Sequence, residues 1–448
     1  MSTIETRKRV ENGMARSTPK VNRRLSRDFF LLYLPTALCF LVINITNDRI
    51  LSALARHGFI YGKDTNFSNN LDKTTRFFLV PSKSLLFFVS TAILIYYLLP
   101  AFKRILELFK RQTWVRLLLP MLICSALTFN YAPLVFGRSY ARISTDPFNQ
   151  GVDQLYRRLL LPALANLYHV DGFFFIFFFW FFVFVTVLAF RLYCIERGAE
   201  LTLLQEVSFL TVGSLVSAWQ CPAYPEIVVL LLALIALMEF QRDSRFTPKQ
   251  VAAFSLALMT HEACAVIVFV PMILFLFGRK AWLPSAAVGL MYATALLANF
   301  SFNISAPFSV QTTVSDVPAQ QYFLRSPMHA VIGAAFSFKL LWLIVPIGLY
   351  LLFKRDRRLA YFGLSGFLLA AASVYIGIDY TRLIGFATIP MVLCFLEFRQ
   401  NFSARVVNTV AAVNLLVPSF FVAGNSGVVM FPGMYRLAYS WLSHHSAG

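Results

Sequence analysis

Residues 251–277 read VAAFSLALMTHEACAVIVFVPMILFLF, two apolar runs on either side of Thr260-His261-Glu262. Whether they form one tilted span or two short helices decides on which side of a membrane everything downstream lies. A single span puts Lys354-Arg355-Asp356-Arg357-Arg358 on the translocated side and Asp379-Tyr380-Thr381-Arg382 in the cytoplasm. That arrangement opposes the tendency of lysine and arginine to stay cytoplasmic. It also leaves Glu262 in mid-bilayer, at roughly 3 kcal/mol or more. A break at His261 resolves both conflicts. Short helices meeting at membrane depth are tolerated where they line a cavity. The expectation is a pair of helices over 251–260 and 263–277, with the polar tip at the outer edge of the membrane.

The remainder of the chain points the same way. It has 448 residues, 58% hydrophobic and 14% charged, with 47 phenylalanines. Apolar runs recur at lengths of about 17–25 residues, enough to cross a hydrocarbon layer as helices. Runs such as Phe173 to Phe190 lack a polar face and must be lipid-facing or buried all round. The fold expected is an all-α polytopic membrane helix bundle of about 11–13 transmembrane segments, some short or broken, joined by extracytoplasmic loops. The spans fall near 29–46, 84–100, 117–136, 172–190, 206–219, 225–240, 251–260, 263–277, 282–302, 329–352, 359–377, 383–397 and 405–423.

Residues 1–28 form a basic cytoplasmic tail without the apolar core and cleavage site of a secretory signal. Residues 29–423 read as one transmembrane domain with outer loops near 47–83, 137–171 and 303–328, and 424–448 as an extracytoplasmic C-terminal segment. Most lysines and arginines then lie on the inner side, so part of the +19 net charge reflects orientation. Nucleic-acid binding is disfavoured, and the inner charges read as anchors to anionic membrane lipids. The six cysteines are scattered, with no spacing suited to zinc or to a disulfide framework. Few unpaired charges lie deep in the spans, Lys339 being long enough to snorkel, which argues against ion-driven transport.

Polar stations gather on the outer side. Asp48 ends the first span, where a carboxylate can act as general base towards an acceptor hydroxyl or simply cap the helix and pair with Arg49. Asp153 precedes Arg157 and Arg158, an arginine pair suited either to fork onto a phosphate or to anchor a headgroup. His261 and Glu262 offer a proton carrier beside a carboxylate, or a structural hydrogen bond. Metal binding by that pair is disfavoured, because a third ligand is missing nearby in sequence. Asp379 and Arg382 sit three residues apart, placed for a salt bridge or for an arginine held towards a phosphate.

The stretch Tyr156-Arg157-Arg158-Leu159-Leu160-Leu161-Pro162-Ala163-Leu164-Ala165 after Asp146-Pro147, then His261-Glu262 with Pro271, then Asp379 and Arg382 with Pro390, resembles bacterial membrane glycosyltransferases of the GT-C type. The resemblance implies sugar transfer from a polyprenyl-phosphate donor to a glycan, lipid or protein acceptor on the extracytoplasmic face of a bacterial inner membrane. It assigns catalysis to Asp48 or Asp153, with Asp64 as a further substitute, because the acidic pair of several such families is replaced here by Asp48-Arg49. Arg157, Arg158, His261, Glu262, Asp379 and Arg382 would bind substrate, with neither metal nor cofactor. A lipid-linked oligosaccharide polymerase or ligase, and a flippase or transporter of lipid-linked glycans, are the alternatives.

Overall fold

The computed structural model describes residues 65–128, 135–147, 158–212, 215, 224–243, 245–301, 323–375, 377, 379–422 and 429–430. Their regular structure is helical, apart from two-residue strands β1 (Phe421–Val422) and β2 (Val429–Met430) that pair antiparallel. The helices are α1 (Thr65–Arg111), α2 (Trp114–Thr128), α3 (Val135–Thr145), α4 (Leu160–Leu167), α5 (Phe175–Glu196), α6 (Leu203–Leu210), α7 (Glu226–Asp243) and α8 (Pro248–Thr260). Then come α9 (Glu262–Pro271), α10 (Arg279–Ser301), α11 (Pro327–Phe338), α12 (Ile344–Arg355), α13 (Arg357–Ser373), α14 (Tyr380–Ile384), α15 (Thr388–Asn401) and α16 (Ala404–Leu416). Among the described residues four stretches are long and apolar enough to cross a membrane: Phe87–Leu108, Gly172–Glu196, Pro327–Arg355 and Tyr380–Asn401. Helix α1 begins at Thr65, so the 65–83 part of the first long loop is helical.

The stretch 251–277 is broken as its charges require. His261 is extended (φ −161°, ψ 103°) between α8 and α9, and its Nδ1 accepts the Cys264 N–H at 3.3 Å, capping the second helix. The two helices fold back as a hairpin. Phe254 meets Phe269 at 5.5 Å, and Phe277 lies 6.1 Å from Phe246 at the far end, so both legs return to the same face. At its start α8 has Pro248 in the first turn, and the Thr247 N–H donates to Gln250 Oε1 at 2.7 Å.

The far face is a layer of ion pairs between helix ends. Glu239, fully buried near the end of α7, takes Arg104 of α1 and Lys249 of α8. Glu397 of α15 takes Arg197 at 3.1 Å and Arg355 of α12 at 2.8 Å. Arg191 grips both oxygens of Glu206 at 2.7 Å, tying α5 to α6. Buried carboxylates are tolerated here because each has at least one guanidinium or ammonium partner. The other polar layer lies at the opposite end of α7, whose 18 residues span about 27 Å.

Between the layers packing is apolar and close, with small residues letting backbones approach. The segment from Tyr380 to Cys394 rests on glycines of three neighbours. A Cβ at Gly333 of α11 would meet Tyr380 Cβ at 2.7 Å, one at Gly366 of α13 would meet Pro390 at 2.6 Å, and one at Gly348 of α12 would meet Cys394 Cβ at 2.5 Å.

The apolar run 329–352 differs from expectation, because it is not one continuous helix. It breaks at Lys339 (φ 53°, ψ −128°), a conformation strained for any residue with a Cβ, and continues as a 3₁₀ turn, Lys339–Leu343, into α12. Nor does Lys339 snorkel, being only 7% exposed inside the bundle.

Candidate functional site

Five of the eight expected site residues meet at the end of α7 opposite the ion-pair layer. Arg158 enters from the segment before α4, His261 and Glu262 from the hairpin tip, and Asp379 and Arg382 from the start of α14. Asp48, Asp153 and Arg157, and with them the substitute Asp64, lie outside the described residues, as does the tail 1–28.

Arg158 forks onto Glu262, Nε to Oε2 at 3.1 Å and one terminal nitrogen to Oε1 at 3.4 Å. Its other terminal nitrogen donates to the Tyr140 hydroxyl of α3 at 2.9 Å. Burial works against the Arg158 charge, but the Glu262 carboxylate outweighs it and raises the guanidinium further above its ordinary value.

Arg382 is the second centre. It pairs with Asp379 Oδ2 at 2.8 Å, approaches Glu226 Oε1 at 3.2 Å and lies over the Tyr224 ring at 4.4 Å. The ring takes up the flat guanidinium face, which lysine would not fill equally. Glu226 Oε1 is also 3.2 Å from His261 Nε2. These two 3.2 Å contacts are ion-pair distances without hydrogen-bond alignment: both Glu226 oxygens, His261 Nε2 and Arg382 Nε and Nη1 are buried with no aligned partner among the described residues. Such groups are a cost unless another polar group completes them.

Burial, then the positive charge of Arg158, holds the His261 imidazole below the ordinary histidine range, so it is neutral near pH 7. With Nδ1 accepting from Cys264, the proton resides on Nε2, towards Glu226. A histidine whose folded pKa is depressed contributes stability above its unfolded pKa near 6.5 that is lost as pH falls below it. His261→Gln is therefore expected to flatten the decline in unfolding free energy between about pH 6.5 and 5, by up to about 1.4 kcal/mol per pH unit. Identical slopes in urea-unfolding series across that range would show that His261 titrates alike in both states.

Glu226, Tyr140 and Tyr224 belong to the cluster and were not singled out from the sequence. Glu226 opens an apolar helix directly after Pro225, where an acid reads as a partner of the helix dipole. The signal that could have found it is the need of buried His261 and Arg382 for a counter-group. Among the described residues no group of three or more His, Cys, Asp and Glu is arranged to hold a metal ion.

No protein-family model, no curated protein and no solved structure matches this chain. The class is therefore defined by its own geometry: a helical bundle with four candidate membrane-spanning stretches among the described residues and a largely buried cluster of acids, arginines and one histidine at one end.

Proposed function

We propose that this protein is a membrane glycosyltransferase that moves a sugar from a polyprenyl-phosphate carrier to a glycan, lipid or protein hydroxyl on the extracytoplasmic face. The N-terminus would be cytoplasmic and the membrane the inner membrane of a bacterium. The full bundle would comprise about 11–13 crossings, the short helices included. The observation that supports this most is the convergence of Arg158, His261, Glu262, Asp379 and Arg382, from three separate parts of the chain, in one cluster with Glu226.

In such a transfer the acceptor oxygen attacks the anomeric carbon, a carboxylate takes the hydroxyl proton, and the bond to phosphate breaks. Asp48 or Asp153 would serve as the base. Arginines stabilise the charge gathering on the leaving phosphate, the role of fixed donors aimed at developing charge. Arg382 Nη1, buried and without an aligned acceptor, is suited to a phosphate oxygen. Two arginines face three carboxylates in the cluster, so a phosphate must draw Arg382 from Glu226 or recruit Arg157 beside Arg158.

A strain lacking the gene is expected to accumulate a polyprenyl-phosphate sugar in lipid extracts, cleared by the wild-type gene. Arg158→Lys, which keeps the charge and loses the fork, should clear it at least about tenfold less well. Unchanged carrier lipids in the deletion strain would overturn the assignment. A polymerase or ligase of lipid-linked oligosaccharides is expected to show the same accumulation with a longer glycan on the carrier. The transport alternative gains one specific observation, the buried side chain of Lys339 well inside a candidate span.

A further inference from the structure

We propose that Lys339 is the cationic centre of a second site, near mid-depth in the bundle, that binds the anionic head of an amphiphile: a carboxylate or a phosphate monoester. The inference does not depend on the sugar-transfer reading, because none of its residues belongs to the cluster around Arg382.

Four observations carry it. Lys339 lies near the middle of the 29-residue apolar stretch Pro327–Arg355, yet its side chain is turned inward and 7% exposed. Among the described residues it has neither a carboxylate within ion-pair distance nor a hydrogen-bond acceptor for its amine, while the buried Arg191 and the largely buried Arg197 and Arg382 each hold an acid. The ionisable group that acts on it electrostatically is the thiol of Cys124 on α2, and Glu206, which acts on that thiol, is already gripped by Arg191. The backbone is also broken there. At Lys339 the chain takes φ 53°, and the Leu340 N–H leaves the helical ladder for Asn414 Oδ1 at 3.0 Å. Asn414 is fixed in turn by donating to Ser208 Oγ at 3.1 Å. Strained backbone, an interrupted helix at membrane depth and an enclosed lysine without an acid partner among the described residues are each costly, and together they mark binding positions in membrane bundles.

The ligand's chemistry follows from the surroundings. A lysine enclosed to this degree keeps its charge best beside an anion. The neighbouring Phe338, Leu341 and Trp342 are apolar, with Phe338 and Trp342 edge to face at 5.3 Å, so the anion must arrive on a body that partitions into hydrocarbon. A freely hydrated anion does not meet that condition.

The test uses the full chain in phosphatidylcholine nanodiscs, with thermal unfolding read against laurate, dodecyl phosphate, dodecanol and inorganic phosphate. Laurate or dodecyl phosphate is expected to raise the melting temperature in a saturable manner, and the stronger of the two identifies the head group. Dodecanol and inorganic phosphate are expected to leave it unchanged. Lys339→Met should weaken the amphiphile's apparent affinity at least about tenfold, and Lys339→Arg should keep most of it. Because methionine places an apolar side chain where an enclosed lysine lacks an acid partner, that variant is expected to fold. Should it not, Lys339→Gln supplies the same comparison. A shift that survives loss of the charge, an equal shift with dodecanol, a shift with inorganic phosphate alone, or none with either anion would each overturn the proposal.

Discussion

Arg382→Met is expected to lower the unfolding free energy by about 3–5 kcal/mol and to abolish the proposed sugar transfer. Arg382 is the shared partner of Glu226 and Asp379, and its side chain is only 14% exposed. Removing it leaves two buried carboxylates facing each other near a neutral histidine, so the penalty is mostly that of uncompensated charge rather than of lost bonds. Denaturant unfolding of the purified protein checks the first part. The double variant Arg382→Met with Glu226→Gln should recover part of the loss, because these side chains are in contact and their effects are not additive. A loss below about 1 kcal/mol would mean the cluster is solvated and weakly coupled, as an exposed pair would be. Arg382→Lys separates stability from chemistry. It is expected to retain most of the folding energy and lose most of the transfer, since an ammonium neither forks onto phosphate nor lies flat on Tyr224.

The second large effect is expected at a residue with no polar chemistry. In Gly348→Val the new Cβ would lie 2.5 Å from Cys394 Cβ, 2.6 Å from its Cα and 2.8 Å from its carbonyl oxygen, against backbone that no rotamer change can clear. Helix α15 would have to move off α12, at a cost of about 3 kcal/mol. That motion would be passed to Arg382, because α14 runs into α15 through Gly385–Ala387. The variant should elute largely aggregated from size-exclusion chromatography in detergent, and any folded fraction should melt well below wild type. Wild-type elution and melting would show that α12 and α15 part without penalty.

The fold was legible where charge and hydropathy constrain it together. Residues 251–277 show this best: the break at His261 follows from the need to keep Lys354–Arg358 off the Asp379 side and to keep Glu262 out of hydrocarbon, and the helical hairpin has that break. The interruption at Lys339 was not legible. Nothing in an unbroken apolar stretch announces a backbone turned to positive φ, and that turn is stabilised by Asn414, 74 residues away. The same distinction applies to the site. Ionisable residues flanked by apolar runs stood out as His261, Glu262, Asp379 and Arg382. Glu226 resembled an ordinary first-turn acid, and Tyr140 an ordinary apolar residue of a short helix, until tertiary packing brought them to Arg382 and Arg158. Pairings across long sequence separation are invisible to local pattern.

The reversal at His261 rests on a single extended residue, and its consequence is an intolerance of length rather than of composition. One amino acid inserted into either leg of the hairpin rotates all that follows by about 100° and shifts it by about 1.5 Å. That is enough to carry the imidazole away from Glu226 or to aim Glu262 at lipid. Drift in the identity of the leg residues should therefore be widely tolerated between Thr247 and Phe277, whereas insertions and deletions there should be rare among any descendants that keep the site.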